Sequence, residues 1–353
     1  MIPSIINLDI ELTNRCNADC YFCPRDQTPH QGIMTPETFA KSVERAVEFR
    51  DGPANTAGRE MRISLCGLGE PLLNPRAVDC VQMVRDAGFR CAMASNGSVM
   101  TEAKAIALLD AGLQEIEFNV GEEGSEYETI YGLPFQRTLE NVERFARLAE
   151  GRCKVNIVLV DHREDEAHRE HMKAFWSARG LSEFVVFPIM NRGGALQVDR
   201  MDYAPTSSHV IRAREMLAER GTTPICMAPF VFLFIGYDGK YYLCCADWKK
   251  EAAYGTVHDS ALSDAVGPKL RATRSRELVC HTCNIDPINT LVDTLRAHDR
   301  GEATAATVAA AVEGIVADTD ELERLVESIS PGLSTDPAYL GQRRRPLIPV
   351  SDS

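Results

Sequence analysis

Over the first 190 residues, short apolar and β-branched runs alternate with longer segments whose apolar positions recur at helical spacing. That is the pattern of repeated βα units and a parallel sheet. Six runs read as strands: residues 5–12, 62–66, 90–94, 115–119, 154–160 and 184–189. Among the helical segments, that over 35–49 opens with Thr35, suited to cap it, and Pro36, suited to its first position; Thr101 opens another. Six units fall short of the eight that close a barrel. The pattern therefore predicts an α/β fold, a partial (βα)6 TIM-like barrel over residues 1–200, with ligands at the carboxyl ends of its strands.

The remainder reads differently. Residues 191–203 lack a clear period, and a linker helix is expected within 201–225, at 208–220. A small α+β unit is expected over 226–285. Its clearest piece is 230–243, two strand-like runs around Tyr237-Asp238-Gly239, a hairpin signal. Ala-rich helical patterns occupy 286–340, with Val308, Val312, Ile315, Leu322, Leu325 and Ile329 on one face, and 341–353 reads as a loose tail.

Composition narrows the function. The chain has 353 residues, 44% of them hydrophobic, enough for a large domain and a smaller one. Its longest apolar run, 230–235, is far shorter than the roughly 20 residues a membrane helix needs, and the first residues show no basic segment followed by an apolar one. A cytoplasmic protein without a membrane partner is expected. With 38 basic and 51 acidic residues the formal charge is −13, which argues against a nucleic-acid partner and favours solubility and a cationic substrate. The 12 cysteines fit metal ligands better than disulfides in such a compartment.

Three of these cysteines form a C-x3-C-x2-C run, Cys16-Asn17-Ala18-Asp19-Cys20-Tyr21-Phe22-Cys23, after the first strand. Three thiolates can hold a four-iron cluster and leave one iron open, or belong to a zinc site that lacks its fourth ligand. Further motifs follow in order. Gly67-Leu68-Gly69-Glu70-Pro71 stands after the second strand and Ser95-Asn96-Gly97 after the third, with Asn119 ending the fourth and Asn191 after the sixth.

In this order the motifs closely resemble those of the radical S-adenosylmethionine (SAM) superfamily. The resemblance implies a 4Fe-4S cluster on Cys16, Cys20 and Cys23 whose open iron chelates SAM, and reductive cleavage of SAM to the 5′-deoxyadenosyl radical. It also implies SAM contacts at Gly67, Gly69, Glu70 and Pro71 for the methionine ammonium, at Ser95, Asn96, Asn119 and Asn191 for polar groups, and at Tyr21 or Phe22 for adenine. Leu68 departs from the family's second glycine.

A second group, Cys226, Cys244, Cys280 and Cys283, with the hairpin between its first two members, resembles the SPASM/twitch extension and implies an auxiliary 4Fe-4S cluster; a zinc ribbon is the alternative. A full SPASM domain carries more cysteines than the five here, so the one-cluster twitch form is expected. Cys245 follows Cys244, and since adjacent side chains on a strand point to opposite faces it is expected to face the cavity as a hydrogen-atom donor; the alternatives are a small buried residue or a ligand in place of Cys244. Cys66, Cys80, Cys91 and Cys153 read as core residues, with Cys66 next to the SAM turn.

The layout resembles both carbohydrate-antibiotic epimerases and aminocyclitol dehydrogenases. A small or medium carbohydrate is the expected substrate, epimerised with Cys245 as donor, or dehydrogenated to a ketone with the auxiliary cluster as electron acceptor. Radical modification of a peptide is a third reading, disfavoured because little chain precedes the first strand. A flavodoxin or ferredoxin would supply electrons. Glu117, Glu122, Glu123 and Asp247 are candidates to meet substrate hydroxyl or amino groups.

Overall fold

A computed structural model describes residues 5–28, 30–55, 58–196 and 201–330. The expected tail at 341–353 lies outside these residues. Six strands, β1 (Ile5–Ile10), β2 (Glu60–Leu65), β3 (Arg90–Ser95), β4 (Glu115–Asn119), β5 (Lys154–Asp161) and β6 (Phe184–Pro188), lie parallel in sequence order. Between them run α1 (Pro36–Asp51), α2 (Ala77–Asp86), α3 (Glu102–Asp110), α4 (Gly124–Tyr131), α5 (Phe135–Ala149) and α6 (Glu166–Ser177). The caps read from sequence are present: Thr35 accepts from the Thr38 amide and Thr101 from the Lys104 amide. This is the expected partial barrel.

Each inner strand divides its residues between two buried environments. On β1, Ile6, Leu8 and Ile10 join the apolar core, whereas Asn7 and Asp9, followed by Glu11, are buried polar groups. A strand that sends alternate residues to opposite faces thus gives the barrel an apolar jacket and a polar lumen. Arg62 of β2 bonds Glu115 of β4 at 2.8 Å and Asn7 at 2.8 Å, and Asn156 of β5 donates to Glu115 at 2.8 Å. This network is the lumen floor.

The hairpin departs from expectation in two ways. Residues 228–231 form a helical turn, α8 (Ala228–Val231), rather than strand, since Pro229 opens the turn and the Phe230 and Val231 amides both bond the Met227 carbonyl. The strands are shorter, β7 (Phe232–Ile235) and β8 (Tyr241–Tyr242), with Gly239 at φ 77° in the turn between them. β7 pairs in parallel with β1. The small unit therefore extends the barrel sheet, in the order β6-β5-β4-β3-β2-β1-β7-β8.

Beyond it come α9 (Val266–Ser275), α10 (Pro287–Asp299) and α11 (Ala305–Ile329). The segment read as a linker is α7 (Ser208–Glu219), whose Val210, Ala213 and Leu217 pack with Leu291, Val292 and Leu295 of α10 and with Val308 and Val312 of α11 in a separate core. The far half of α11 returns to the main core through Leu322, Leu325, Val326 and Ile329. Among the described residues no helix is long and apolar enough to cross a membrane.

Candidate active site

The loop after β1 carries Cys16, Cys20 and Cys23, all half-buried. Asn14 fixes its exit, donating to the His30 carbonyl at 2.7 Å and accepting from the Gly32 amide at 2.8 Å. Arg25 donates to the Cys16 carbonyl at 2.6 Å, and the Asp19 amide bonds the Tyr131 carbonyl at 2.8 Å. The loop is thus held from three sides. The thiols are mutual electrostatic neighbours, and burial raises the pKa of Cys16 and pushes Cys20 up to about 12. The Ala18 amide and the Asn96 side chain both point donors at the Cys16 sulfur. Among the described residues no three His, Cys, Asp or Glu side chains close on one point as a single ion requires. In a cube each thiolate takes its own iron, so a three-thiol loop with donors aimed at sulfur fits a cluster.

The Gly67–Pro71 turn lies against this loop. A Cβ on Gly69 would stand 2.2 Å from the Thr13 carbonyl oxygen and 2.5 Å from that of Arg15, so only glycine permits the contact, which the Glu70 amide seals by bonding the Arg15 carbonyl at 2.9 Å. We expect Gly69→Ala to displace the cysteine loop, costing about 1–3 kcal/mol of stability and weakening SAM binding; denaturant melts and equilibrium binding check both.

Glu70 is 2% exposed, and burial raises its pKa. Its carboxylate already accepts from Ser95 Oγ at 2.9 Å, the Asn96 amide at 2.7 Å and the Leu72 amide at 3.1 Å. The sequence motif at 67–71 and that at 95–97 are therefore one hydrogen-bonded unit. Asn96 continues it to Asn17 of the cysteine loop at 3.1 Å. Asn119 is half-buried at the end of β4.

Several of the candidate residues are engaged within the protein. Asn191 is 1% exposed, donates to the Thr282 carbonyl at 2.6 Å and accepts from the Asn284 amide at 3.1 Å, so its side chain docks the Cys280–Cys283 knuckle onto the loop after β6. Phe22 is buried against Tyr131 and His162, whereas Tyr21 is 54% exposed, which leaves Tyr21 as the accessible aromatic. Glu122, fully buried, is taken up by His162 at 2.6 Å, His168 at 3.0 Å and Arg163 at 2.9 Å, and Glu123 by His171 at 2.7 Å.

Of the second cysteine group, Cys226, Cys244 and Cys283 pack in one apolar cluster and Cys280 in an adjoining one with Leu243 and Ala272. Cys244, Cys280 and Cys283 are buried, Cys226 nearly so, and Cys244, Cys226 and Ala246 pack with Cys283. Burial raises the pKa of each, that of Cys280 to about 12. Cys226 feels the charges of Cys283 and Cys280, and Cys244 those of Cys245, Cys226 and Cys283. Four neighbouring thiols, with buried polar atoms near them that find no protein partner, fit a cluster in which each thiolate takes its own iron.

Cys245 does not lie on a strand with Cys244. The two begin a turn closed by the Asp247 amide on the Cys244 carbonyl at 3.1 Å, so strand alternation does not orient them. Even so, the charges around Cys245 differ from those around Cys226. Asp9 leads, followed by Arg192 and Cys283, and Cys245 in turn acts on Cys66. Burial keeps it a thiol, pushed up to about 11.

Asp9 was missed by sequence reading. It sits on the lumen face of β1, 5% exposed, accepting from Asn7 and from the Cys66 thiol. Burial pushes its carboxyl up to about 7, and Glu117 on β4 adds like charge. A carboxyl raised on folding holds stability below its unfolded pKa and loses it as pH climbs through the folded one. We therefore expect stability to fall on the order of 2–3 kcal/mol more between pH 5 and 8 in the parent than in Asp9→Asn, measured by denaturant melts across that range.

Glu11 was also missed. Fully buried, it accepts from the Leu68 amide at 3.1 Å and the Tyr237 amide at 3.3 Å, and it pairs with Lys250. One carboxylate thereby joins the SAM turn, the hairpin and the loop beyond Cys245.

Residues 10–175 match the model of the radical SAM superfamily, and residues 226–284 match that of an iron-sulfur cluster-binding domain, SPASM. The chain therefore carries a radical SAM domain and a SPASM domain, which imply a 4Fe-4S cluster with SAM and auxiliary iron-sulfur ligation. Among curated relatives, it is 28% identical over 114 residues to the tungsten-containing aldehyde ferredoxin oxidoreductase cofactor-modifying protein of Pyrococcus furiosus, covering 32% of this chain and 30% of that one. It is 31% identical over 138 residues to the AdoMet-dependent heme synthase of Methanosarcina barkeri, covering 38% and 37%. The chain thus spans about a third of each of these relatives. Solved structures share the fold over more of the chain. BtrN in complex with AdoMet and 2-DOIA aligns at 17% identity and TM-score 0.50, covering 80% of this chain and 94% of that one. Streptococcus suis SuiB bound to precursor peptide SuiA aligns at 14% and 0.58, covering 84% and 74%.

Proposed function

We propose that this radical SAM enzyme inverts a carbon centre of a small or medium carbohydrate or aminocyclitol. The observation that carries the reading is that the buried Cys245 thiol, a neighbour of Cys244 and Cys283, is also a neighbour of Asp9 of β1 and of Arg192. With cluster and SAM bound, the site supplies a 5′-deoxyadenosyl radical that takes one hydrogen atom from a substrate carbon. The substrate must be held still and dry for that, and the buried polar residues on the lumen side of β1–β5 are where it would be held. Cys245 then gives its sulfur-bound hydrogen atom to the opposite face, forming the inverted C–H bond and leaving a sulfur-centred radical. One electron from a flavodoxin or ferredoxin and one proton restore the thiol.

Asp9 and Glu117 favour a substrate bearing hydroxyl or ammonium groups, since two neighbouring buried carboxyls are relieved by a cation. SAM is taken to contact Gly67, Gly69, Glu70, Pro71, Ser95, Asn96, Asn119 and Tyr21. A second reading, dehydrogenation to a ketone, is favoured by the four buried thiols of the auxiliary site and by Asp9 as a proton acceptor. In that reaction the substrate radical would lose a proton to Asp9 and one electron, and a cluster held by Cys226, Cys244, Cys280 and Cys283 would supply the electron acceptor.

Incubating reduced enzyme, SAM and candidate amino sugars in D2O separates the two by mass spectrometry. Inversion adds one solvent deuterium at the reacting carbon. A product two mass units lighter than substrate would establish the ketone and remove Cys245 as donor.

A further inference from the structure

Beside the second cysteine group, three buried polar atoms have no hydrogen-bond partner: Lys269 Nζ, Asp247 Oδ2 and Trp248 Nε1. Lys269 is 1% exposed, on the inner side of α9. Ala272, about one turn further along, packs with Leu243 and Cys280, so this face of the helix looks onto the thiol group. The charges that Lys269 meets are those of Cys244 and Asp247. Asp247 does not close the pair: its Oδ1 takes the Lys250 amide at 3.2 Å, and its Oδ2 stays open.

An isolated buried ammonium is among the most costly groups a protein can hold. Asp247 adds its charge but no hydrogen bond, so the ammonium needs an acceptor, which a cluster on the neighbouring thiolates would supply. We infer that Lys269 is a positioning residue of the auxiliary cluster, its ammonium donating to the thiolate of Cys244 or an adjoining sulfide, with the Trp248 N–H as a second donor. This rests on Cys226, Cys244, Cys280 and Cys283 being the ligands. Hydrogen bonds and positive charge at cluster sulfur favour the reduced, more negative state and raise the reduction potential. The lysine thereby makes the auxiliary cluster a better electron acceptor.

The test uses the full chain with Cys16, Cys20 and Cys23 all changed to Ala, reconstituted without oxygen so that only the auxiliary cluster is present. At a fixed applied potential, Lys269→Met is expected to lower the reduced-to-oxidised ratio at least tenfold, about 59 mV for a one-electron couple. Lys269→Arg, which keeps the charge, stays near the parent. In the parent labelled with nitrogen-15 lysine, pulsed EPR of the reduced cluster should show coupling to that nitrogen. An unchanged ratio in Lys269→Met overturns the inference, as does absence of the lysine coupling should that variant fail to hold a cluster. A parent that takes up no iron overturns the ligand assignment beneath it.

Discussion

Cys16→Ala should produce no 5′-deoxyadenosine above the level of the iron-free chain, whatever substrate is offered. The sulfur of Cys16 is the one toward which the protein aims two donors, from Ala18 and Asn96, and its carbonyl anchors Arg25. Loss of one of three thiolates leaves two, too few to hold the cube while keeping one iron open. Because the loop backbone is held independently by Asn14, Arg25 and the Asp19–Tyr131 bond, the variant should fold and melt near the parent while its chemistry vanishes. Chromatographic assay of 5′-deoxyadenosine, with circular dichroism as the folding control, checks the pair.

The second large effect separates initiation from outcome. Cys245→Ala should form 5′-deoxyadenosine within the same order of magnitude as the parent and yield no inverted product, because the substrate radical is generated but finds no hydrogen atom on its far face. Unreacted or quenched substrate should accumulate. Cys245→Ser should behave alike, since an O–H bond is a far poorer hydrogen-atom donor than S–H. Were Cys245 instead a cluster ligand, Cys245→Ala would lose iron, and iron analysis of the same sample reveals that directly.

Much of the site was legible because its chemistry is local in sequence. The C-x3-C-x2-C spacing, the Gly67–Pro71 turn and the Ser95–Asn96 pair each sit at the carboxyl end of a strand, and the alternation of βα units gives those ends a common side. The glycine at 69 was readable as a motif, yet its cause is tertiary: the Thr13 and Arg15 carbonyls occupy the space a Cβ would need. Alternation on β1 placed Asn7, Asp9 and Glu11 in plain sight as a polar period of two, the signal by which the lumen acids were discoverable.

What escaped depends on long-range neighbours. Glu11 and Lys250 meet across 239 positions, and no local period announces the pair. Asn191, beyond the sixth strand, is held by the Thr282 and Asn284 backbone, a contact no local signal announces. Tyr21 and Phe22 are adjacent and alike in sequence; only packing against Tyr131 decides which is core. The hairpin was readable from its turn, whereas its parallel pairing with β1 was not, since parallel partners carry no local turn signal. Lys269 lies in an ordinary helical stretch, and nothing in its neighbours betrays a buried, unpartnered ammonium.

The most direct test of the whole reading is EPR of the reduced protein, with Cys226, Cys244, Cys280 and Cys283 replaced by Ala so that only the N-terminal loop can hold iron. A 4Fe-4S signal that changes shape when SAM is added is the predicted result, because SAM would coordinate the iron that the three thiolates leave open. A signal indifferent to SAM, or zinc in place of iron, would contradict it.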